Sequence, residues 1–447
     1  MKRPLRPDLV DAAVLEVYGL VREQAWLADR ALERVLRREK RLYAGERRGV
    51  AEAVYGMLRW EGQLRWLAGD RSAISLPARA GRAAVDLSTL YALWLARSGS
   101  TPAEAVAKRL GVSPKVIGSA LGQADARMAE LADPVLRLAV QSSLPAWIAE
   151  RFVSELGEEE ARALTRTLNE RAPLTVRANL LRTTREALRD RLEGQEGVGA
   201  RATRHSPWGL VLDGHENAFQ LASFQEGLFE IQDEGSQLLA LAVGARPGWM
   251  VADACAGAGG KSLALAAEMH GKGSLHALDI DGDRLEEAKR RARRGGVHNL
   301  RVRVIPASAD ADAALADLAG RCERVLVDAP CSGLGTLRRK PDARWRLAPE
   351  DPARFAALQK ELVVRFAKLL APGGRLVYAT CAIGRAENEE VAEHLRAVSP
   401  ELAPVSMAEA LGAELAGALG AVDHTLHLLP HRHGTDGFFA AAFRRLP

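Results

Sequence analysis

Five short apolar runs alternate with longer helical patterns in the second half of the chain, and this alternation restricts the fold more than any other feature. From about Phe229 onward the runs read MVADAC, SLHALDI, RVRVI, RVLVDA and RLVYAT. Buried strands that alternate with helices are typical of βαβ units, whose strands are parallel. The sequence therefore predicts an α/β fold, with a doubly wound, mostly parallel sheet and helices on both faces.

The regions before and after these five runs have different hydrophobic patterns. The first 140 or so residues carry apolar side chains at three- and four-residue spacings, as in DLVDAAVLEVYGLV, which predicts an all-helical region. APLTVRANLL and WGLVLDG alternate like strands, and HTLHLLP and DGFFAAAF predict a hairpin that adds an antiparallel edge to the sheet. We therefore predict a helical domain over 1–140, a small α/β connector over 145–225 and a Rossmann-like domain over 226–447.

Basic residues are concentrated in the helical front. The chain has a formal net charge of +5, and Lys and Arg side chains neutralise nucleic-acid phosphates. The cations of this front include Arg34, Arg37, Arg38, Lys40, Arg41, Arg47 and Arg48. A solvated helix face and an RNA-binding surface both fit this pattern. Acidic residues interrupt the first twenty residues, and no run reaches about 18 uncharged apolar residues, so we expect a cytoplasmic protein without membrane contact.

A glycine turn follows the first strand of the predicted sheet. It consists of Cys255, Ala256, Gly257, Ala258, Gly259, Gly260 and Lys261. Such a turn lets a ligand approach backbone N–H groups at a helix N-terminus. A dinucleotide fold would need glycine in place of Ser262, and a P-loop would need glycine in place of Cys255. S-adenosylmethionine fits better, with Asp279 at the end of the second strand as acceptor for its ribose hydroxyls.

Two further strand ends carry the strongest signal. RVLVDAPCSG places Asp328 and Cys331 at the carboxyl edge of the sheet, and RLVYATC places Cys381 on the same edge, where open α/β sheets bind ligands. The remaining cysteines are Cys255 and Cys322, and no spacing among the four suits zinc, so we expect no metal. A P-loop-like, RNA-dependent NTPase stays open as an alternative, because Asp328 ends a strand as the acid of such an enzyme does.

Two thiols beside a cofactor turn suit the chemistry of cytosine. A thiolate that adds to C6 makes C5 nucleophilic enough to attack a methyl sulfonium, which splits one difficult step into two easier ones. A second thiol can assist the later release of the base, and an acid such as Asp328 can hydrogen-bond the N3/N4 edge of the ring. The pattern favours methyl transfer to cytosine C5.

The segments DACAGAGGK, ALDID, VDAPCSGLGTLRRKPDARW, VYATCAIGRAENEEV and HRHGTDGFF resemble the Sun/Nop family of RNA cytosine-C5 methyltransferases. The resemblance covers residues 145–447, and the front, with ERRGVAEAVYGMLRW, is similar to the NusB-like RNA-binding domain of the RsmB branch. It implies that Cys381 is the nucleophile, with a depressed pKa, and that Cys331 assists product release. It also implies that the Cys255–Lys261 turn holds the methionine part of the cofactor and that Asp279 binds its ribose. Asp328 would contact both the cofactor and the target cytosine. Small-subunit ribosomal RNA is the implied substrate.

The sequence departs from the family pattern at two points. The usual CAAPGGK turn appears as CAGAGGK, with Gly257 and Ala258 in place of Ala and Pro. The third strand usually ends in an acid near the adenine, whereas RVRVIPAS reaches Ser308, and Asp310 follows two places later. We therefore predict Asp310 as a cofactor contact.

A basic loop follows the Cys331 motif and is predicted to lie at the mouth of the crevice. Its candidate RNA contacts are Arg338, Arg339, Lys340, Arg344 and Trp345. A solvated charge run would also fit this loop. The target cytosine must be unpaired or flipped out to reach a thiol. We expect a monomer. Two further interpretations stay open, a non-catalytic RNA-binding ribosome assembly factor and, less favoured, a DNA-modifying enzyme.

Overall fold

The computed structural model of the protein describes residues 6–74, 85–99, 101–214, 217–308 and 310–447. Contacts divide the chain into two compact units. The helical unit is Met1–Arg171 with Leu337–Pro349, and the sheet unit is Ala172–Thr336 with Glu350–Pro447. Among the described residues, no helix combines the length and the apolar character that a membrane crossing requires.

The helical unit contains no strand among its described residues, as its three- and four-residue apolar spacing predicts. Its helices are α1 Pro7–Glu23, α2 Ala28–Arg38, α3 Ala44–Leu67, α4 Leu87–Arg97, α5 Ala103–Leu110, α6 Pro114–Gly122, α7 Ala124–Ala129, α8 Pro134–Ser142, α9 Ala146–Leu156, α10 Glu158–Leu168 and α17 Ala343–Arg346. Local sequence defines where they begin. The Asp133 carboxylate, for example, accepts the N–H groups of Val135 and Leu136 at 2.8 and 3.2 Å, with Pro134 in the first turn of α8.

The sheet unit contains two sheets, of which the smaller is antiparallel. Its strands are β1 Leu174–Ala178, β2 Ala200–Ala202, β3 Gly209–Leu212 and β4 Phe229–Ile231. They are arranged in the order β2-β3-β1-β4. The predicted strand patterns APLTVRANLL and WGLVLDG contain β1 and β3. The helices of this part are α11 Arg185–Gln195 and α12 Ala222–Gln225.

The larger sheet has eight strands. The five predicted runs form the parallel strands β5 Met250–Asp253, β6 Ser274–Asp279, β7 Leu300–Val304, β8 Cys322–Asp328 and β9 Leu370–Thr380. The antiparallel strands are β10 Leu402–Pro404, β11 Thr425–Leu428 and β12 Phe438–Arg445. The order is β10-β12-β9-β8-β5-β6-β7, with β11 also paired to β12. The predicted hairpin is therefore confirmed, since Leu428 pairs with Phe438 across HRHGT.

Helices cover both faces of this sheet. They are α13 Glu234–Val243, α14 Gly260–Glu268, α15 Gly282–Gly295, α16 Ala311–Ala314, α18 Asp351–Ala367, α19 Glu389–Val398, α20 Met407–Leu411, α21 Ala413–Ala418 and α22 Pro430–His433. Alternate residues of β8 contribute to two different cores: Leu326 to one, Val325 and Val327 to the other. Because both faces of the strands inside the sheet are buried, β5, β6, β8 and β9 read as largely apolar runs, which is why the sequence predicted them.

Candidate active site

The candidate site lies at the carboxyl ends of the parallel strands. Asp253 ends β5, Asp279 ends β6 and Asp328 ends β8. Because parallel strands point the same way, these three carboxylates and the loops that follow them meet at one edge of the sheet. This edge also carries the glycine turn and both cysteines of the predicted site.

Cys331 and Cys381 are in direct contact although fifty positions separate them in the chain. Their Sγ atoms are 3.3 Å apart, and the Cys381 N–H donates to Cys331 Sγ at 3.4 Å. Both side chains are half-buried. The pKa of Cys331 is raised well above its usual range, first by the hydrogen bond with Cys381, then by burial and by nearby negative charge. This direction favours the protonated form of Cys331.

The other two cysteines have different surroundings. Burial, and secondarily the charge of Asp253, raises the pKa of Cys255 well above its usual range. Cys322 is fully buried at the start of β8, and burial raises its pKa to about 12. Thiolates are the reactive form of cysteine, so neither residue is a suitable nucleophile.

Backbone groups join the cysteine segments to each other and to the start of β12. The Gly335 N–H donates to the carbonyl of Cys381 at 2.9 Å, and the Gly437 N–H donates to the carbonyl of Gly335 at 2.8 Å. A Cβ atom on Gly335 would lie 2.3 Å from the Gly437 carbonyl oxygen. Only glycine fits at this crossing of three segments.

An ion pair lies beside the thiols. Lys261 Nζ contacts Asp328 Oδ2 at 2.6 Å and lies 5.6 Å from the centre of the Phe438 ring. Burial opposes the charge of Lys261, but the charge and hydrogen bond of Asp328 outweigh it and raise the pKa of the lysine. The sequence predicted both residues in the site but not that they pair.

The glycine turn has the backbone conformation that its composition suggests. Gly257 and Gly259 have φ values of 53° and 78°, which L side chains rarely adopt. The Gly257 N–H donates to Asp279 Oδ2 at 2.7 Å, and the carbonyl of Ala258 accepts from Arg291 at 2.8 Å. The departure from the family's CAAPGGK pattern thus leaves an ordered turn that is tied to the end of β6.

Asp253 is a site residue that the sequence analysis missed. It is 1% exposed, its Oδ2 accepts the Ser262 hydroxyl at 2.6 Å, and its Oδ1 has no partner among the described residues. Burial raises its pKa to about 7, against the opposing hydrogen bond from Ser262. Its position offered a signal, because it ends the first strand of the sheet just as Asp279 and Asp328 end theirs.

Comparisons with known proteins agree with this geometry. A family described as 16S rRNA methyltransferase RsmB/F matches residues 240–444, and the ferredoxin-like domain of RsmF/B-like methyltransferases matches residues 144–218. The probable ribosomal RNA small subunit methyltransferase B of Bacillus subtilis is 34% identical, over 70% of this chain and 69% of that one. The chain belongs to the RsmB/F methyltransferase family. Its resemblance to the Sun/Nop family, and the prediction of an RNA methyltransferase, are confirmed.

Other members and a solved structure extend the RsmB/F match. Ribosomal RNA small subunit methyltransferase B of Pseudomonas putida is 30% identical, over 88% of this chain and 89% of that one. The crystal structure of a methyltransferase homologue from Pyrococcus horikoshii is 26% identical, with a TM-score of 0.58 over 71% of this chain and all of that one. These similarities confirm the methyltransferase fold and favour a methyltransferase over an NTPase.

Two exposed apolar side chains lie next to the carboxyl end of β6. Ile280 follows Asp279 and is 62% exposed, and Val304, which pairs with Asp279 across the sheet, is 57% exposed. Asp310 is also exposed, and its Oδ2 accepts the hydroxyl of Ser308 at 3.0 Å. The cofactor contact of Asp310 stays a prediction. The sequence analysis did not single out Ile280 and Val304, although the apolar residue directly after the acid of the second strand was visible.

The predicted RNA-binding loop needs correction at three of its five residues. Arg338, Arg344 and Trp345 are 4%, 0% and 1% exposed, so their side chains have no surface to offer to RNA. Segment Leu337–Pro349 belongs to the helical unit and is not the solvated crevice mouth that we expected. Arg339 is half-buried and Lys340 is exposed, and their RNA contact stays a prediction.

Contacts within the helical unit explain why this segment is buried. Trp345 Nε1 donates to the carbonyl of Leu58 at 2.6 Å, and a Cβ atom on Gly62 would lie 2.5 Å from the indole ring. The Arg344 guanidinium donates to oxygens that are fixed by the helices; these are Asn169 Oδ1 at 2.9 Å and the carbonyl oxygens of Arg59, Ser143, Ser142 and Leu168 at 3.1 to 3.4 Å. Burial lowers the pKa of Arg344 to about 9. These residues stabilise the helical unit.

Proposed function

We propose that this chain transfers the methyl group of S-adenosylmethionine to C5 of an unpaired cytosine in small-subunit ribosomal RNA, through a covalent adduct between Cys381 Sγ and C6. The observation that carries the proposal is the 3.3 Å contact between Cys331 Sγ and Cys381 Sγ at the carboxyl edge of the sheet. The ribosomal substrate, and with it a cytoplasmic site of action, is supported by the names of the relatives from B. subtilis and P. putida.

S-adenosylmethionine fits the groups at this edge. Its ribose hydroxyls need acceptors, and each Asp279 oxygen has accepted only one backbone N–H, which leaves capacity for a second donor. Its adenine needs an apolar surface, which Ile280 and Val304 offer, and Asp253 Oδ1 is a buried acceptor without a partner among the described residues. We propose that the Cys255–Lys261 turn holds the methionine part and that Asp310 and Asp328 complete the site. When bound, the cofactor supplies the electrophilic methyl group.

Nucleophilic attack begins from a pair of thiols that share one proton. In this proposal Cys331 keeps the proton, as its raised pKa favours, and the sulfur of Cys381 reacts as the thiolate. Its lone pair forms the bond to C6, and the electron pair of the C5–C6 double bond becomes available at C5. Asp328, held by Lys261, accepts a hydrogen bond from the exocyclic amino group of the base.

Product release restores the resting pair. The C5 proton leaves to water, the electrons of the C5–H bond reform the C5–C6 double bond, and the C6–S bond breaks with its electron pair on Cys381 Sγ. The Cys331 thiol donates a hydrogen bond to the departing thiolate, which stabilises the charge that develops there. Cys331 therefore assists release without forming a bond to the base.

A nucleoside analysis tests the proposed function. The chain is incubated with small-subunit ribosomal RNA and cofactor that carries a labelled methyl group, and the RNA is digested to nucleosides. We expect the label in 5-methylcytidine, and bisulfite sequencing then locates the modified position. Label on an exocyclic nitrogen or on ribose would contradict the proposed reaction. Label on transfer RNA alone would contradict the proposed substrate.

We further propose three domains with boundaries at 1–140, 145–225 and 226–447, of which the first two bind RNA, and that the chain acts as a monomer. The first domain is proposed to be NusB-like. Support for RNA binding comes from α2, where Arg34, Arg37 and Arg38 are exposed. Arg34 also lies 5.1 Å from the centre of the Trp26 ring, so an exposed cation and an aromatic ring, which contact phosphates and bases, lie together. Size-exclusion chromatography with light scattering tests the oligomeric state; a dimer mass would contradict it.

A further inference from the structure

Two adjacent residues after β9 each hold one of the cysteine segments. Glu387 Oε1 accepts the N–H of Ser332, next to Cys331, at 2.8 Å. Asn388 Oδ1 accepts the hydroxyl of Thr380, next to Cys381, at 2.6 Å. Glu387 and Asn388 are each 2% exposed. A single buried dipeptide thus contributes to fixing both cysteine segments.

A glutamine reinforces the Glu387 side of this arrangement. Gln359, on α18 and fully buried, donates through Nε2 to the carbonyl of Pro330 at 2.9 Å and to Glu387 Oε1 at 3.2 Å. One carboxylate oxygen thus accepts both the Ser332 N–H and the glutamine amide. The segment that carries Cys331 is fixed on both sides of the cysteine.

Charges around the thiol pair are unequally distributed. Glu387 contributes to raising the pKa of Cys331, after the hydrogen bond with Cys381, burial and the charge of Cys381. On the other side, the cationic Lys261, paired with Asp328, interacts favourably with a negative charge on Cys381. Burial, then the charges of Cys331 and Glu387, raises the pKa of Tyr378 well above its usual range, so the hydroxyl that it donates to the Glu387 carbonyl at 2.5 Å stays neutral. Negative charge near Cys331 and positive charge near Cys381 both favour a thiolate on Cys381. The Cys381 N–H that donates to Cys331 Sγ acts in the opposite direction, but the net pKa of Cys331 is raised.

We propose that Glu387 is a positioning residue that fixes the Cys331 segment and, through its charge, keeps the shared proton on Cys331, so that nucleophilic attack is reserved for Cys381. The assignment of attack to Cys381 and of release to Cys331 rests on the proposed function. The difference in proton affinity between the two thiols does not depend on it. No bond forms between Glu387 and the substrate. Its effect reaches the reaction through the sulfur that it keeps protonated.

Alkylation by iodoacetamide tests this proposal without RNA or cofactor. The intact chain is treated at pH 7, and peptide mass spectrometry gives the rates of modification at Cys331 and Cys381. We expect Cys381 to be alkylated first in the wild type, since thiolates react and thiols do not. Glu387→Gln keeps an oxygen for the Ser332 N–H and removes the charge, so the ratio of the rates should shift toward Cys331 by about three- to tenfold.

Two further variants separate charge from structure. Glu390→Gln removes an exposed carboxylate on α19 and should leave the alkylation ratio at the wild-type value. Gln359→Leu removes the hydrogen bonds to the Pro330 carbonyl and to Glu387 Oε1 but retains the Glu387 carboxylate, so Cys381 should still be alkylated first. A shift in Gln359→Leu as large as that in Glu387→Gln would overturn the proposal, because loosening of the segment would then explain both.

If Glu387→Gln does not fold, the pH dependence of alkylation at the two cysteines of the wild type tests the proposal instead. Alkylation of Cys331 must then begin at a higher pH than alkylation of Cys381, and the reverse order overturns the proposal. An unchanged ratio in a folded Glu387→Gln variant overturns it as well. If the ratio shifts as expected but the chain makes no 5-methylcytidine, the unequal thiol pair stands and the proposed function fails.

Discussion

Consecutive pieces of the chain after β8 have opposite surroundings. The first, Pro330–Thr336, keeps the sulfur of Cys331 half-buried beside that of Cys381 and is fixed by buried polar partners. The second, Leu337–Pro349, buries Arg344 and Trp345 inside the helical unit. Pro330–Thr336 therefore carries a candidate catalytic residue, whereas Leu337–Pro349 packs within the helical unit. Mutation of Cys331 should therefore change turnover at constant stability, and mutation of Arg344 or Trp345 should change stability at constant chemistry.

The largest expected effect is the loss of the nucleophile. Cys381→Ala should lower turnover by at least about 10³-fold and abolish the covalent adduct with RNA, because no bond to C6 can form. Its thermal unfolding should match the wild type. Denaturing gel electrophoresis with labelled RNA measures the adduct.

The matched control is Cys331→Ala, which retains the attacking sulfur and loses the donor to the leaving thiolate. It should form the adduct and accumulate it. Turnover by Cys381→Ala at the wild-type rate would assign the nucleophile elsewhere, and adduct formation by Cys381→Ala but not by Cys331→Ala would reverse the roles of the two cysteines.

The next largest effect concerns the packed segment. Trp345→Ala removes a buried indole and its hydrogen bond to Leu58, and should destabilise the helical unit by about 3–5 kcal/mol. Trp345→Phe retains most of the ring and should lose less. Urea unfolding followed by circular dichroism measures both. Weaker RNA binding by Trp345→Ala without a change in stability would restore the predicted RNA contact.

Substitution of Asp253 should change the free energy of unfolding in a pH-dependent way, by an amount similar to or smaller than that of Trp345→Ala. Because its folded pKa is raised to about 7 from 3.8, its neutral form is favoured in the fold, and stability falls as the pH rises through that window. Asp253→Asn cannot ionise and should stabilise the chain by up to about 4 kcal/mol at pH 8, with the gain fading toward pH 4. Thermal unfolding at several pH values measures this gain.

A control variant and a binding measurement complete the Asp253 experiment. Asp283→Asn changes an exposed carboxylate on α15 and should show no such pH dependence. If Asp253 also contacts the cofactor, Asp253→Asn should bind S-adenosylmethionine more weakly although it is more stable. A destabilised Asp253→Asn at pH 8 would contradict the neutral carboxyl group.

The smallest expected effect separates exposed arginines from buried ones. Arg34→Glu on α2 should weaken RNA binding a few-fold and reduce the salt dependence of binding by about one phosphate contact, with unchanged stability. Lys115→Glu makes the same charge change at an exposed position on α6 and should have less effect. Equal losses in both variants would indicate that net charge alone controls the affinity.

Local sequence was sufficient for the sheet and for much of its edge. The strands β5, β6, β8 and β9 are largely buried, so their apolar runs were visible, and parallel topology then brings Asp328, Cys331 and Cys381 to one side. The burial of Arg344 was not predictable in this way, because its acceptors are oxygens of Arg59, Ser142 and Asn169, far away in the chain. An arginine-rich segment reads the same whether it faces phosphates or the carbonyl oxygens of helix ends.

The crossing of Gly335 and Gly437 limits how this catalytic centre can change over evolutionary time. A substitution at a sulfur alters the chemistry but leaves the chain path intact, whereas any side chain at Gly335 forces two loops apart. Libraries of random variants selected only for folding should tolerate alanine at Cys331 and reject it at Gly335. The least replaceable position near the reacting atoms is thus one that has no functional group at all.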